Sequence, residues 1–140
     1  MSAGLAFKVV SALVKKSDSL IPAGWEKWLL DIAAIGTVAD LFPLLDENRA
    51  LVYYGLQVLQ KTRRTGLKVL FQKLRLEPTK ITEDDVSFLI APILNAGGRM
   101  DHANTSFILL TTDSLGEAEW AASRLIEKNN ERKALVESIL

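Results

Sequence analysis

The chain has 140 residues, about one domain's worth, and 49% of them are apolar, enough to bury a core. Its 17 basic and 17 acidic residues cancel to a formal net charge of zero, which removes the simplest sign of a nucleic-acid binder, a strongly basic domain, while leaving room for local patches. Cysteine is absent, so disulfides, zinc–thiolate sites and cysteine nucleophiles are excluded. No apolar run reaches the roughly 18 residues of a membrane span. The opening Met1-Ser2-Ala3-Gly4 lacks the charged start, apolar stretch and cleavage site of a signal peptide. These features point to the cytoplasm and to no membrane partner.

In chain order, the hydrophobic period is helical almost throughout. Ala6, Val9, Val10 and Leu13 share one face of a first helix that closes on Lys15 and Lys16, cations suited to a helix C-terminus. A second helix is expected from Pro22, with Trp25, Trp28, Leu29 and Ile32 as its stripe and Gly36 as its stop. A third follows Asp46, turns Val52, Gly55, Leu56 and Leu59 inward and stops near Gly66, with a further short helix over residues 67–74. Thr82 is placed to cap a helix with Glu83, Asp84 and Asp85 in its first turn and Val86, Leu89, Ile90 and Ile93 as its stripe, with Pro92 ending or kinking it. The last helix opens at Asp113 or Ser114, with Glu117 spaced for a capping box, and buries Ala118, Ala121, Ala122 and Leu125. The apolar runs 32–38 and 107–110 are the only strand candidates. The expected fold is mainly α.

Two stretches depart from plain helical patterning. In Gly36-Thr37-Val38-Ala39-Asp40-Leu41-Phe42-Pro43, one aspartate stands inside an apolar run. An ionised carboxylate among such neighbours is costly unless it is paired or bound to a hard divalent cation. The plainer reading, that Asp40 caps a turn before Pro43, stays open. In Asn95-Ala96-Gly97-Gly98-Arg99-Met100, a glycine pair allows backbone N–H groups close to a ligand, Arg99 can fork two phosphate oxygens and Asn95 can donate from its amide. An ordinary loop after a proline-broken helix is the alternative.

Taken together and in this order, the two stretches resemble the RecJ branch of the DHH phosphoesterase family. The resemblance extends to Glu47-Asn48-Arg49, Ala3-Gly4-Leu5-Ala6-Phe7-Lys8, Gly55-Leu56, Gly66-Leu67 and Asn129-Asn130-Glu131-Arg132, and so to nearly the whole chain. It implies a metal-dependent exonuclease that degrades single-stranded DNA from the 5′ end in DNA repair and recombination. Asp40 would be a catalytic ligand of Mn2+ or Mg2+, and Asn95, Gly97, Gly98 and Arg99 would lie at the nucleic-acid phosphates. Gly97 stands where the family usually has alanine.

The Asp-His-His signature that supplies most ligands in the family is missing, and the sole histidine, His102, follows Asp40. The chain is therefore expected to be an internal piece of a longer enzyme, inert by itself, whose partners include the missing N-terminal and C-terminal parts. Residues 1–110 would be the C-terminal part of the α/β catalytic domain and residues 111–140 the start of a long connecting helix. Apolar faces on the first two helices, short of their natural cover, would favour self-association. Two other readings remain: a related phosphoesterase acting on oligonucleotides, cyclic dinucleotides or polyphosphate, and a non-catalytic helical interaction module.

Lesser features take plainer readings. Lys61, Arg63, Arg64, Lys68, Lys73, Arg75 and Lys80 read as a solvated helix end and loop, because no aromatic platform of the kind single-strand binders show interleaves with them. Trp25 and Trp28 read as packing residues, Asp84-Asp85 as first-turn charge and His102 as an exposed loop residue.

Overall fold

A computed structural model describes residues 2–16, 21–41, 43–100 and 104–139, without the side chains of Arg99, Met100 and Ile139. The reading of His102 lies outside the described residues. Among those described there is no strand, in keeping with the mainly α expectation. Both strand candidates are helical, and none of the described helices is long and apolar enough to cross a membrane. The chain divides into two compact units, one of residues 1–62 with 78–87 and one of residues 63–77 with 88–140.

The first unit is built from α1 (Ser2–Lys16), α2 (Leu30–Ala39), α3 (Asp46–Gln60) and the single turn α5 (Glu83–Asp85). A 3-10 turn, Trp25–Leu29, leads into α2. Gly36 does not stop this helix, as the sequence suggested. It sits inside α2, where an added Cβ would lie 2.6 Å from that of Ala3, so its role is to let α1 and α2 cross closely. The expected inward face of α1 is largely exposed: Ala6, Val9 and Leu13 stand open, as does Leu5, and Val10 is half-buried, while Gly4 and Val14 are buried. α3 follows expectation in burying Val52, Gly55 and Leu59, although it ends at Gln60 and not near Gly66. Thr82 and Asp85 close a capping box, which gives the acids of α5 their first-turn role.

The second unit contains α4 (Thr65–Lys73), α6 (Ala91–Met100), α7 (Asn104–Thr111) and α8 (Leu115–Ile139). Pro92 does not end its helix but distorts the turn before it. It has no N–H to give, and its ring would meet the carbonyl of Phe88, so the chain widens into a π turn over Val86–Ile90 and resumes as α6. At the start of α8, the Glu117 N–H donates to Ser114 Oγ at 3.4 Å, while the Glu117 carboxylate accepts from Thr112 Oγ1 at 2.5 Å. The cap is thus shared across Thr112 and Ser114. Ala118, Ala121, Ala122 and Leu125 are buried as the spacing predicts.

α4 ends in a Schellman turn: the Leu76 N–H donates to Phe71 O and the Arg75 N–H to Gln72 O. Arg75, at φ 56°, occupies the left-handed position where glycine is easiest. Arg75→Gly should therefore raise the stability of this unit by about 1 kcal/mol, as read by the denaturant midpoint. An unchanged or lower midpoint would show that the arginine side chain compensates for its backbone.

Candidate active site

Asp40 emerges where α2 runs out. Ahead of it, Gly36 faces Ala3, Thr37 is buried with its Oγ1 donating to Ala33 O at 2.7 Å, and Val38 is buried. The first residues of the motif are therefore packing residues that hold the end of α2 in place. Asp40 itself is exposed, with its N–H bonded to Gly36 O at 3.2 Å, and Leu41 turns into the left-handed region at φ 52°.

The expected burial of an isolated carboxylate does not hold, because the helix ends and the chain reverses before its apolar neighbours can enclose it. Leu41 is 81% exposed and Leu45 68%. A carboxylate at a helix C-terminus also opposes the macrodipole, so stability gives no reason for an acid here. The segment beyond is held by Asn48, whose side-chain amide donates to Pro43 O at 3.2 Å, and by Glu47, whose carboxylate accepts from Lys8 at 2.6 Å. Asp46, at φ 47°, is a second non-glycine residue in the left-handed region on the same segment.

The other motif lies in the second unit, and its conformation corrects a sequence expectation. Residues 95–100 are not a loop but the last turns of α6. Inside a helix, backbone N–H groups are spent on carbonyls of the preceding turn, so the glycine pair makes no cradle of free N–H groups. Gly97 is buried; a Cβ there would collide with Ser106 Oγ and come within 3.0 Å of Leu125 Cδ2. Ser106 in turn donates to Leu94 O at 2.6 Å. Gly97 thus lets α6 pack against α7 and α8, and the alanine usual in the family would not fit beside Ser106 without a shift.

Gly98 differs from Gly97, since it is exposed and a methyl added there would meet nothing within 4 Å. Asn95 is exposed three residues earlier, on the same helical face. The Arg99 side chain lies outside the described residues. Gly98→Ala should stabilise the helix by about 0.8–1 kcal/mol, visible as a higher thermal midpoint.

Asp31 escaped the sequence reading. It is 2% exposed in the first turn of α2, and its Oδ1 accepts from the Ile32 N–H at 2.6 Å. The signal available was an acid at the head of an apolar helix, where the dipole favours it. Tyr53 and Tyr54 were also passed over, although both are exposed on α3 with ring centroids 5.2 Å apart, edge to face.

A donor set for a whole metal centre is not present: among the described residues no three or more His, Asp or Glu side chains gather around one point. The exposed oxygens of Asp40 suit a hard divalent cation as one ligand of several.

No protein-family model matches the chain. Among curated proteins, it is 40% identical over 133 residues to the single-stranded-DNA-specific exonuclease RecJ of Bacillus subtilis (strain 168), a match covering 95% of this chain and 16% of that protein. It is 34% identical over 138 residues to the RecJ of Thermus thermophilus, covering 99% of this chain and 20% of that one. A crystal structure of exonuclease RecJ bound to manganese superposes with a TM-score of 0.85 at 33% identity, over 97% of this chain and 34% of that chain. RecJ from Thermus thermophilus in complex with Mg2+ gives a TM-score of 0.75 at 34% identity, over 85% and 18%.

In class, the helical array is a segment of the exonuclease fold that these structures share. More narrowly, the chain is RecJ-like, and it spans between 16% and 20% of the length of the curated relatives it matches.

Proposed function

We propose that this chain is a region of a metal-dependent exonuclease that hydrolyses single-stranded DNA from the 5′ end, a DHH phosphoesterase of DNA repair and recombination working in the cytoplasm. The observation that carries this reading is the agreement of nearly the whole helical array with a manganese-bound RecJ, at a TM-score of 0.85 over 97% of the chain.

In this reading Asp40 is one ligand of Mn2+ or Mg2+, and the bound ions supply an activated water and charge neutralisation for phosphodiester hydrolysis. The buried residues of α2 fix where the Asp40 backbone leaves the helix, before the ion arrives. Asn95 and Arg99 steady the backbone of the strand through side-chain donors, and Gly98 keeps the helix surface between them low. Gly97 acts through helix packing alone. Residues 1–110 complete the catalytic domain, and residues 111–140 begin a connecting helix whose early turns pack and whose last turns, with Leu135 and Val136 exposed, reach outward. The open stripe Leu5, Val9 and Leu13 is covered by the rest of the parent enzyme, and in the isolated chain it favours self-association.

Assays of single-stranded DNA and of a dinucleotide with the longer protein test the substrate class. Faster turnover of the dinucleotide would assign the segment to a different phosphoesterase.

A further inference from the structure

The first unit holds a groove that the roles assigned above leave unused. It runs between α1, the 3-10 turn and α3, encloses about 800 Å³ and is mainly apolar in lining. That volume is within the usual range for small-molecule sites, roughly 300–1,000 Å³. Three features of its lining ask for one kind of occupant.

The first is aromatic: Phe7, Trp28 and Tyr54 all line it, and Tyr54 is 55% exposed, with Tyr53 braced edge-on against it. The second is cationic. Lys15, Lys27 and Lys61 line the groove and make no ion pair among the described residues, while Lys8 is already held by Glu47. The third is an acceptor with no donor. Glu26 lines the groove, and its Oε2 is the one buried side-chain oxygen or nitrogen among the described residues that has no hydrogen-bond partner. The residue as a whole is half-buried and its side chain borders the groove. A buried acceptor left unmade is costly, and the cost is recovered when a ligand brings an N–H.

We propose that this groove binds nucleotides of single-stranded DNA, with a base against the Tyr54 and Trp28 rings, phosphates at Lys15, Lys27 and Lys61, and a base N–H donating to Glu26. Single-strand sites combine such stacking surfaces with a cationic groove. An acidic apolar peptide would satisfy the lysines and the floor but brings no planar group bearing N–H donors, so the nucleic acid accounts for more of the lining. The choice of DNA as the polymer rests on the function proposed above. The groove itself is independent of Asp40.

The test is fluorescence anisotropy of a short labelled DNA strand against the 140-residue chain, without divalent metal, so that it reads binding and not cleavage. Tyr54→Ala and Lys61→Gln should each weaken binding about tenfold. A strand of abasic sites should bind about tenfold more weakly than the normal strand, and Glu26→Ala should narrow that difference without lowering the thermal midpoint, because the oxygen it removes has no partner. Equal binding of abasic and normal strands would overturn the proposal. So would displacement of the strand by an acidic apolar peptide at lower concentration than by unlabelled DNA, or a loss of binding that follows Lys68→Gln and Lys73→Gln while Tyr54→Ala has no effect. A failure here with metal-dependent cleavage by the longer protein intact sinks the groove alone, and the reverse pattern sinks the exonuclease reading.

Discussion

Asp40→Ala in the longer RecJ-like protein lowers its metal-dependent cleavage of single-stranded DNA by at least about 10²-fold, equivalent to about 2.7 kcal/mol of barrier. Its thermal midpoint stays level or rises slightly, since the side chain is exposed and stands against the dipole of α2. Activity and stability therefore separate in this variant, which a merely structural aspartate would not allow. Asp46→Asn serves as the control. Asp46 is another exposed carboxylate on the same segment, and asparagine tolerates its left-handed backbone, so cleavage should be retained. Full activity in Asp40→Ala would remove the metal-ligand role and favour a helical interaction module.

Gly66→Ala should have the largest effect on the fold. Helix propensity taken alone predicts a gain of up to about 1 kcal/mol, since alanine is the better helix former. The packing predicts the opposite. A Cβ at Gly66 would overlap the carbonyl oxygen of Leu109 and lie 2.7 Å from its carbonyl carbon, and backbone atoms of α7 cannot rotate away. The two helices must separate, at a cost of about 3 kcal/mol or more, a large share of the roughly 5–15 kcal/mol that typically holds a domain. Thermal unfolding should show a midpoint lower by about 10 °C. Together with the gain expected from Gly98→Ala, the pair separates local propensity from tertiary contact at two helical glycines. A stabilised Gly66→Ala would mean that α4 and α7 do not approach as described.

The elements whose signals are local were legible in the chain. Thr82 followed by three acids, Asp46 opening α3, and alanines at 118, 121 and 122 with Leu125 all did what their spacing implied, because capping and amphipathic burial depend on residues within a turn or two of each other. Glycine was misread where its partner was distant. Gly36 and Gly66 looked like helix stops, and Gly97-Gly98 like a loop, yet each lies inside a helix. What makes three of them necessary is an atom of another helix: Ala3, Leu109 or Ser106.

For the candidate site, the motif by itself singled out Asp40, and no measure of hydropathy could show that Leu41 and Leu45 beyond it would stay exposed. The groove was invisible for a related reason. Tyr54 on α3 and Lys61 just past its end are only seven residues apart, but Lys15 and Glu26 come from elements distant in the chain. Sequence alone determined a helical, RecJ-like chain with one aspartate in a recognisable setting, since those properties reside in short-range pattern. Only the tertiary structure decided which small residues separate helices, which carboxylate is left open to solvent and which acceptor is left without a donor, because each depends on atoms brought together by packing from separate parts of the chain.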